Sequence, residues 1–161
     1  MTGNMPKPRA TGRPLSLTAL RGGDGQVLTR LVWSLHQANG QDVTAREARA
    51  ILSQRLGLGD QIAIGRIAER PIAYALWGEG TVARDPHLYL RHFVIDPALT
   101  RRGLGRRFLA LLYATWPPGW EVRLHCRTPR ARAFWHAMGA RPANFPARDG
   151  LRLIRTPENA R

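Results

Sequence analysis

Arg91-His92-Phe93-Val94-Ile95-Asp96-Pro97, followed by Thr100-Arg101-Arg102-Gly103-Leu104-Gly105-Arg106-Arg107, is the stretch from which the rest of this chain is read. An apolar strand is stopped at Pro97, passes through an arginine-flanked Gly-x-Gly turn and enters a helix carrying Leu104, Phe108, Leu111 and Leu112 on one face. A helix start preceded by such a turn offers unpaired backbone N–H groups and the positive end of the helix dipole, which suits a pyrophosphate. The turn is not a P-loop, because the Lys-Ser/Thr pair is missing. A dinucleotide fingerprint fails as well, because its third glycine would fall at Phe108.

Working outward, Leu88–Ile95 is the strongest strand, and Trp120–Cys126 is a second one beyond the break Trp116-Pro117-Pro118-Gly119. Thr128-Pro129 starts another helix, with Ala131, Phe134, Trp135 and Met138 on one face and Gly139 at its end. Upstream, Pro14–Ala19 reads as a short strand, Leu28–Leu35 as helix, and Thr44-Ala45-Arg46-Glu47 as the capping box of a second helix ending at Gly57. Gln61–Ile67 and Pro71–Trp77 form a hairpin through Ala68-Glu69-Arg70, and Gly78–Pro86 reads as a Gly-rich loop. Leu151–Ile154 is a final strand. The order predicts an α/β (α+β) sandwich in one domain over 14–157, with a basic tail at 1–13 and a short one at 158–161.

The 161 residues carry a net charge of +14, and 43% of them are hydrophobic. Such charge raises nucleic acid as a partner. However, Lys7 is the sole lysine among 25 basic residues, and the arginines are dispersed instead of forming a block, which favours a solvated surface. The single Cys126 excludes an intramolecular disulfide and fits a reducing, cytoplasmic setting. No apolar run approaches the roughly 20 residues that span a bilayer. The five histidines and Cys126 show no metal-ligand spacing, and no Gly-x-Ser-x-Gly elbow is present.

Residues Leu88 to Ala140 resemble the core of the GNAT N-acetyltransferase superfamily. Its Arg/Gln-x-x-Gly-x-Gly/Ala turn aligns with Thr100-Arg101-Arg102-Gly103-Leu104-Gly105, threonine replacing the first residue. Its Asn-x-x-Ala-x-x-Phe-Tyr-x-x-x-Gly-Phe segment aligns with Thr128, Ala131, Phe134, Trp135, Gly139 and Ala140. The resemblance implies a central mixed, mostly antiparallel sheet flanked by helices. It also implies acetyl-CoA as co-substrate, transfer to an amine of a small molecule or protein, and a homodimer as a state to be considered. The backbone of Phe93, Val94 and Ile95 would hold the pantetheine arm, and Arg101, Arg102, Gly103, Leu104, Gly105 and Arg106 the phosphates, with Phe134 in the same site. Glycines at 103 and 105 are expected to let the backbone approach the pyrophosphate.

The catalytic positions depart from the family pattern. Counting by twos from Ile95 puts Phe93, Arg91 and Tyr89 on one face of the strand, and His92 on the other with Leu88, Leu90 and Val94. Arg91 then occupies the position of the usual base, where arginine cannot accept a proton. Trp135 stands where the family has its tyrosine acid. His92 reads first as a hydrogen-bonded core histidine, and His125 and His136 as structural. Tyr89, Arg91 and Glu79 are the candidate catalytic residues, with Arg91 holding an anionic group of the substrate or Tyr89 and Glu79 acting through water. Two other readings stand beside this one: a GNAT-fold protein that binds CoA without catalysis, and a basic RNA-associated module.

Overall fold

The computed structural model describes residues 13–82, 85–143 and 150–154. The expected tails, apart from Arg13, lie outside these residues, as do 144–149 and the end of the expected domain.

Seven strands and four helices follow in the order β1 (Leu15–Thr18), α1 (Gly25–Ala38), α2 (Ala45–Gly57), β2 (Gln61–Ile67), β3 (Arg70–Val82), β4 (Asp85–Ile95), α3 (Leu104–Thr115), β5 (Glu121–His125), α4 (Pro129–Ala137), β6 (Arg141–Pro142) and β7 (Gly150–Ile154). Single 3₁₀ turns at Gly22–Asp24 and Pro97–Leu99 precede α1 and α3. The strands form one sheet, ordered β1-β2-β3-β4-β5-β7-β6. Every neighbouring pair is antiparallel except β4 and β5, so the mixed, mostly antiparallel sheet expected from the sequence is present.

Two expectations change. Within Gly78–Pro86, expected as a loop, Gly78–Val82 and Asp85–Pro86 are strand. β3 and β4 continue pairing from Gly78↔Tyr89 to Val82↔Asp85, because glycines are tolerated in a strand whose partner supplies the ladder. The β2–β3 hairpin turns on two residues only, Ala68 and Glu69, both at positive φ (47° and 66°), with Arg70 already paired to Ile67.

The sheet buries two cores. On one face Leu88, Leu90, Val122, Leu124, Leu151 and Leu153 pack under Phe108, Leu109 and Leu112 of α3 and Trp135 of α4. On the other, Ile64, Tyr74, Leu76 and Val94 meet Leu28, Leu31 and Val32 of α1 and Ala48 and Leu52 of α2. The α1 start is fastened to the sheet by a buried ion pair. Arg66 Nη2 donates to Asp24 Oδ2 (2.5 Å) and Arg66 Nε to Thr18 Oγ1 (2.7 Å). The Arg66 guanidinium holds the Asp24 carboxyl below its ordinary range.

Candidate functional site: a gap between two parallel strands

The site begins where β4 and β5 part. Their parallel pairing runs from His87↔Glu121 to Leu90↔Leu124 and stops, although β4 continues to Ile95. Residues 92–95 therefore have a ladder partner on the β3 side alone, where His92, Phe93, Val94 and Ile95 face Leu76, Ala75, Tyr74 and Ala73. Strand backbone left unpaired inside a protein needs another hydrogen-bonding partner, and an extended ligand arm can supply one.

At the same point β4 carries a bulge. The register jumps from Trp77↔Leu90 to Leu76↔His92, so Arg91 is the extra residue. The alternation read from the sequence is thereby corrected. Leu88 and Leu90 share the α3 face with Phe93 and Ile95, whereas His92 and Val94 face α1 and α2. Tyr89, between the two leucines and opposite Gly78, faces the α1/α2 side, and Arg91 joins it there with its guanidinium carbon 5.1 Å from the tyrosine ring centre. A side chain on Gly78 would collide with Asp60, so this glycine leaves room for the Arg91–Asp60 pair, in which Nε donates to Oδ2 at 2.5 Å.

Beyond Ile95 the chain turns at Asp96, a buried carboxylate (1% exposed). It accepts from Ala98 N (3.1 Å) and Arg30 Nη2 (2.9 Å), with Arg70 at 3.8 Å, and so fixes the approach to the turn. Gly103 sits at φ +70° and a Cβ there would meet nothing within 4 Å, so its backbone conformation is what requires glycine. Gly105 has a second constraint besides the expected one. A Cβ on it would lie 3.0 Å from the Phe134 ring, which would have to give by a few tenths of an ångström. Arg101 adopts φ 65° without being glycine, a conformation costing about 1–2 kcal/mol. Helix α3 starts with no side-chain cap on Gly103, leaving its first amides to another acceptor.

Gap and turn open into one cavity of about 570 Å³. Its walls include Phe93, Val94, Ile95, Arg101, Gly103, Leu104, Gly105, Arg106 and Phe134, joined by Leu35 of α1, Asn39 just past its end and Met138 beyond α4. Arg102, expected with them, is not in the wall. Phe93 stacks on Phe134 at 5.6 Å between ring centres and meets Trp135 edge-on at 5.1 Å. Trp135, 5% exposed, is core packing.

Of the three candidate catalytic residues, Tyr89 and Arg91 are brought together and Glu79 is not. Glu79 pairs across the ladder with Leu88, on the α3 face, where its carboxylate accepts from Gln61 Nε2 at 3.5 Å. It belongs to a separate groove with Trp77, Trp116 and Leu17. His125 lies against Tyr89 (5.7 Å between ring centres), and His136 Nδ1 bonds the Ala140 carbonyl at 3.1 Å.

His92 is half-buried and lies 3.0 Å through Nδ1 from the hydroxyl of Tyr74, which is fully buried. A buried hydroxyl must place its proton on an acceptor, and Nδ1 is the one in reach, so the neutral ring carries its own proton on Nε2. Burial pulls the His92 pKa down to about 4, aided by His36, Arg55 and Arg91. The ring is thus neutral near pH 7 and presents a donor, not a base. Sequence reasoning gave no role to Asp60 and Arg55, single residues outside any motif, or to Asp96, which stands within the opening stretch but whose partners Arg30 and Arg70 are distant in sequence. Among the described residues, no group of three His, Cys, Asp or Glu side chains could hold a metal ion, and no helix is long and apolar enough to cross a membrane.

A parallel pair that splays beside an uncapped, glycine-started helix defines a class of fold, and solved structures identify it. An acetyltransferase from Thermus thermophilus is 21% identical, with a TM-score of 0.69, covering 88% of this chain and 96% of that one. A GNAT-family acetyltransferase from Streptococcus agalactiae is 14% identical at a TM-score of 0.66, covering 90% and 98%. A mutant of the toxin AtaT, bound to the C-terminus of the antitoxin AtaR and acetyl-CoA, is 14% identical at 0.56, covering 88% and 93%. No protein-family model and no curated protein sequence matches the chain. The chain has the GNAT acetyltransferase fold.

Proposed function

We propose that the protein is an acetyl-CoA-dependent N-acetyltransferase that moves the acetyl group directly from the thioester to an amine of a small molecule or protein. One observation carries this reading: the gap between β4 and β5 and the uncapped start of α3 line the same cavity. Phosphates are held by the amides of the 101–106 turn with the Arg101 and Arg106 side chains, which line the cavity, and the pantetheine arm by the backbone of Phe93, Val94 and Ile95. The similar AtaT structure with acetyl-CoA supports this choice of co-substrate.

In the reaction the amine nitrogen attacks the thioester carbonyl carbon, the carbon–sulfur bond breaks, and CoA leaves as thiolate or thiol. Strand amides at the bulge favour the developing oxyanion, and positioning supplies much of the rate. Arg91 and Trp135 cannot exchange the amine proton, so it leaves through water, with Tyr89 as the nearest hydroxyl of the candidate set. The buried Cys126 is not used as a relay, which fits direct transfer, and a single cysteine outside any disulfide suits a cytoplasmic setting.

The test pairs calorimetric titration of CoA with thiol release from acetyl-CoA over a broad amine panel. Saturable CoA binding together with amine-dependent thiol release is expected. Absence of CoA binding overturns the reading, whereas binding without release from any amine assigns the chain to a non-catalytic CoA-binding role, which the departures at Arg91 and Trp135 favour.

A further inference from the structure

We propose that the amine acceptor carries an anionic group, a carboxylate or a phosphate monoester, and that Arg55, Arg91 and Arg127 bind it around Tyr89. The inference rests on the acetyltransferase reading and names the acceptor class for the same site.

Three elements bring positive charge to one point. Arg91 lies on β4 with its guanidinium carbon 5.1 Å from the Tyr89 ring centre, and the exposed Arg127 follows β5 two residues after His125, whose ring lies 5.7 Å from that of Tyr89. Arg55 is in the last turn of α2, where its carbonyl accepts from the amide of Asp60 (3.2 Å), the partner of Arg91, and the charge of all three acts on the Tyr89 hydroxyl. Among the described residues Asp60 is the carboxylate bonded within this cluster, to Arg91, and no ion pair of Arg55 or Arg127 is found there. The general abundance of arginine does not account for this. Arg66, Arg91 and Arg123 are buried or half-buried, and each has a carboxylate partner, Asp24, Asp60 and Glu121 respectively. Arg55 is also half-buried, yet it has no carboxylate partner among the described residues. Withdrawing a guanidinium from water without a counter-charge is unfavourable, and an incoming anion removes that penalty.

Tyr89 adds a neutral donor, since its burial raises its pKa and keeps the proton on oxygen. Its place on β4 is one residue before Leu90, where β4–β5 pairing ends. An anion held there is at the foot of the gap and points an attached amine into it. His92, neutral near pH 7, does not change the charge balance.

The experiment compares acceptors differing only in the anion: β-alanine with β-alaninamide, and phosphoethanolamine with ethanolamine. With the wild-type chain, kcat/KM is expected to favour the anionic member of at least one pair by about 10-fold or more, as one charge-assisted contact allows. The preferred pair distinguishes carboxylate from phosphate. Arg55→Gln and Arg127→Gln each drive the ratio toward one while the KM for acetyl-CoA stays unchanged. Turnover without preference for either anion overturns the proposal. A ratio unaffected by both substitutions does the same. If no amine turns over, the anion site is still read by thermal shift of the CoA-bound protein at low salt. Stabilisation by β-alanine or phosphoethanolamine that is lost in Arg55→Gln supports the site, and no stabilisation overturns it.

Discussion

Helices α2 and α3 start in opposite ways. At α2, Thr44 Oγ1 accepts from Glu47 N (3.2 Å) while Glu47 Oε2 accepts from Thr44 N (2.8 Å), so local side chains satisfy the first amides. At α3, Gly103 has no side chain to offer, and the first amides border the cavity instead. The closed end is complete within its own segment. The open end is completed by something that arrives, so stability and function are separated between two copies of the same local structure.

Charge reversal at the open end is the strongest way to break this contrast. Arg101→Glu with Arg106→Glu is expected to weaken CoA binding at least about 100-fold by calorimetry, two charge-assisted contacts being lost. Reversal of Arg46, in the first turn of α2, leaves CoA affinity unchanged. The packed α1/α2 side has its own signature in acid. Because the folded His92 pKa of about 4 lies below the ordinary value near 6.5, the unfolded chain takes up the proton first. Stability therefore falls as pH drops from about 6.5 to about 4, by up to about 3 kcal/mol. Chemical denaturation across this window shows the slope, and His92→Gln removes it. If the slope persists in His92→Gln, the locked neutral ring is ruled out.

Smaller effects sharpen the comparison. Thr44→Ala is expected to lower Tm by about 2–4 °C and leave CoA affinity alone, since it opens only the closed end. Arg101→Gly gives the reverse pair of signs. Relief of the positive φ raises stability by up to about 1 kcal/mol, while CoA affinity falls with the loss of the side chain. A parallel fall in both quantities would show that Arg101 serves the fold instead of the ligand.

Much of this architecture was legible in the chain. The Thr44–Glu47 box, the Thr128 cap with Pro129 behind it, and the apolar faces of α3 and α4 are local chemistry, and they stand where the residues place them. The bulge at Arg91 was not legible. It is a property of two strands out of register, and neither strand alone announces it, so counting by twos put Tyr89 and Arg91 with Phe93, and Leu88 and Leu90 with His92, each pair on the wrong face. For the same reason Gly78–Pro86 read as a loop although β3 and β4 pair through most of it. A second constraint on Gly105 lay in Phe134, nearly thirty residues away in sequence and adjacent only in the fold. Of the three candidate catalytic residues, Tyr89 and Arg91 meet, while Glu79 is carried to the opposite face.

The early end of the β4–β5 ladder also gives one strand two clocks. Along residues 92–95, amides directed at β3 are tied into a ladder and their hydrogens exchange slowly with solvent, whereas those directed into the gap lack that protection. Exchange rates should therefore alternate residue by residue along a single strand in the free protein. A ligand arm laid against that edge would abolish the alternation, so isotope exchange at these four residues records both which ligands seat fully and how far along the strand they reach.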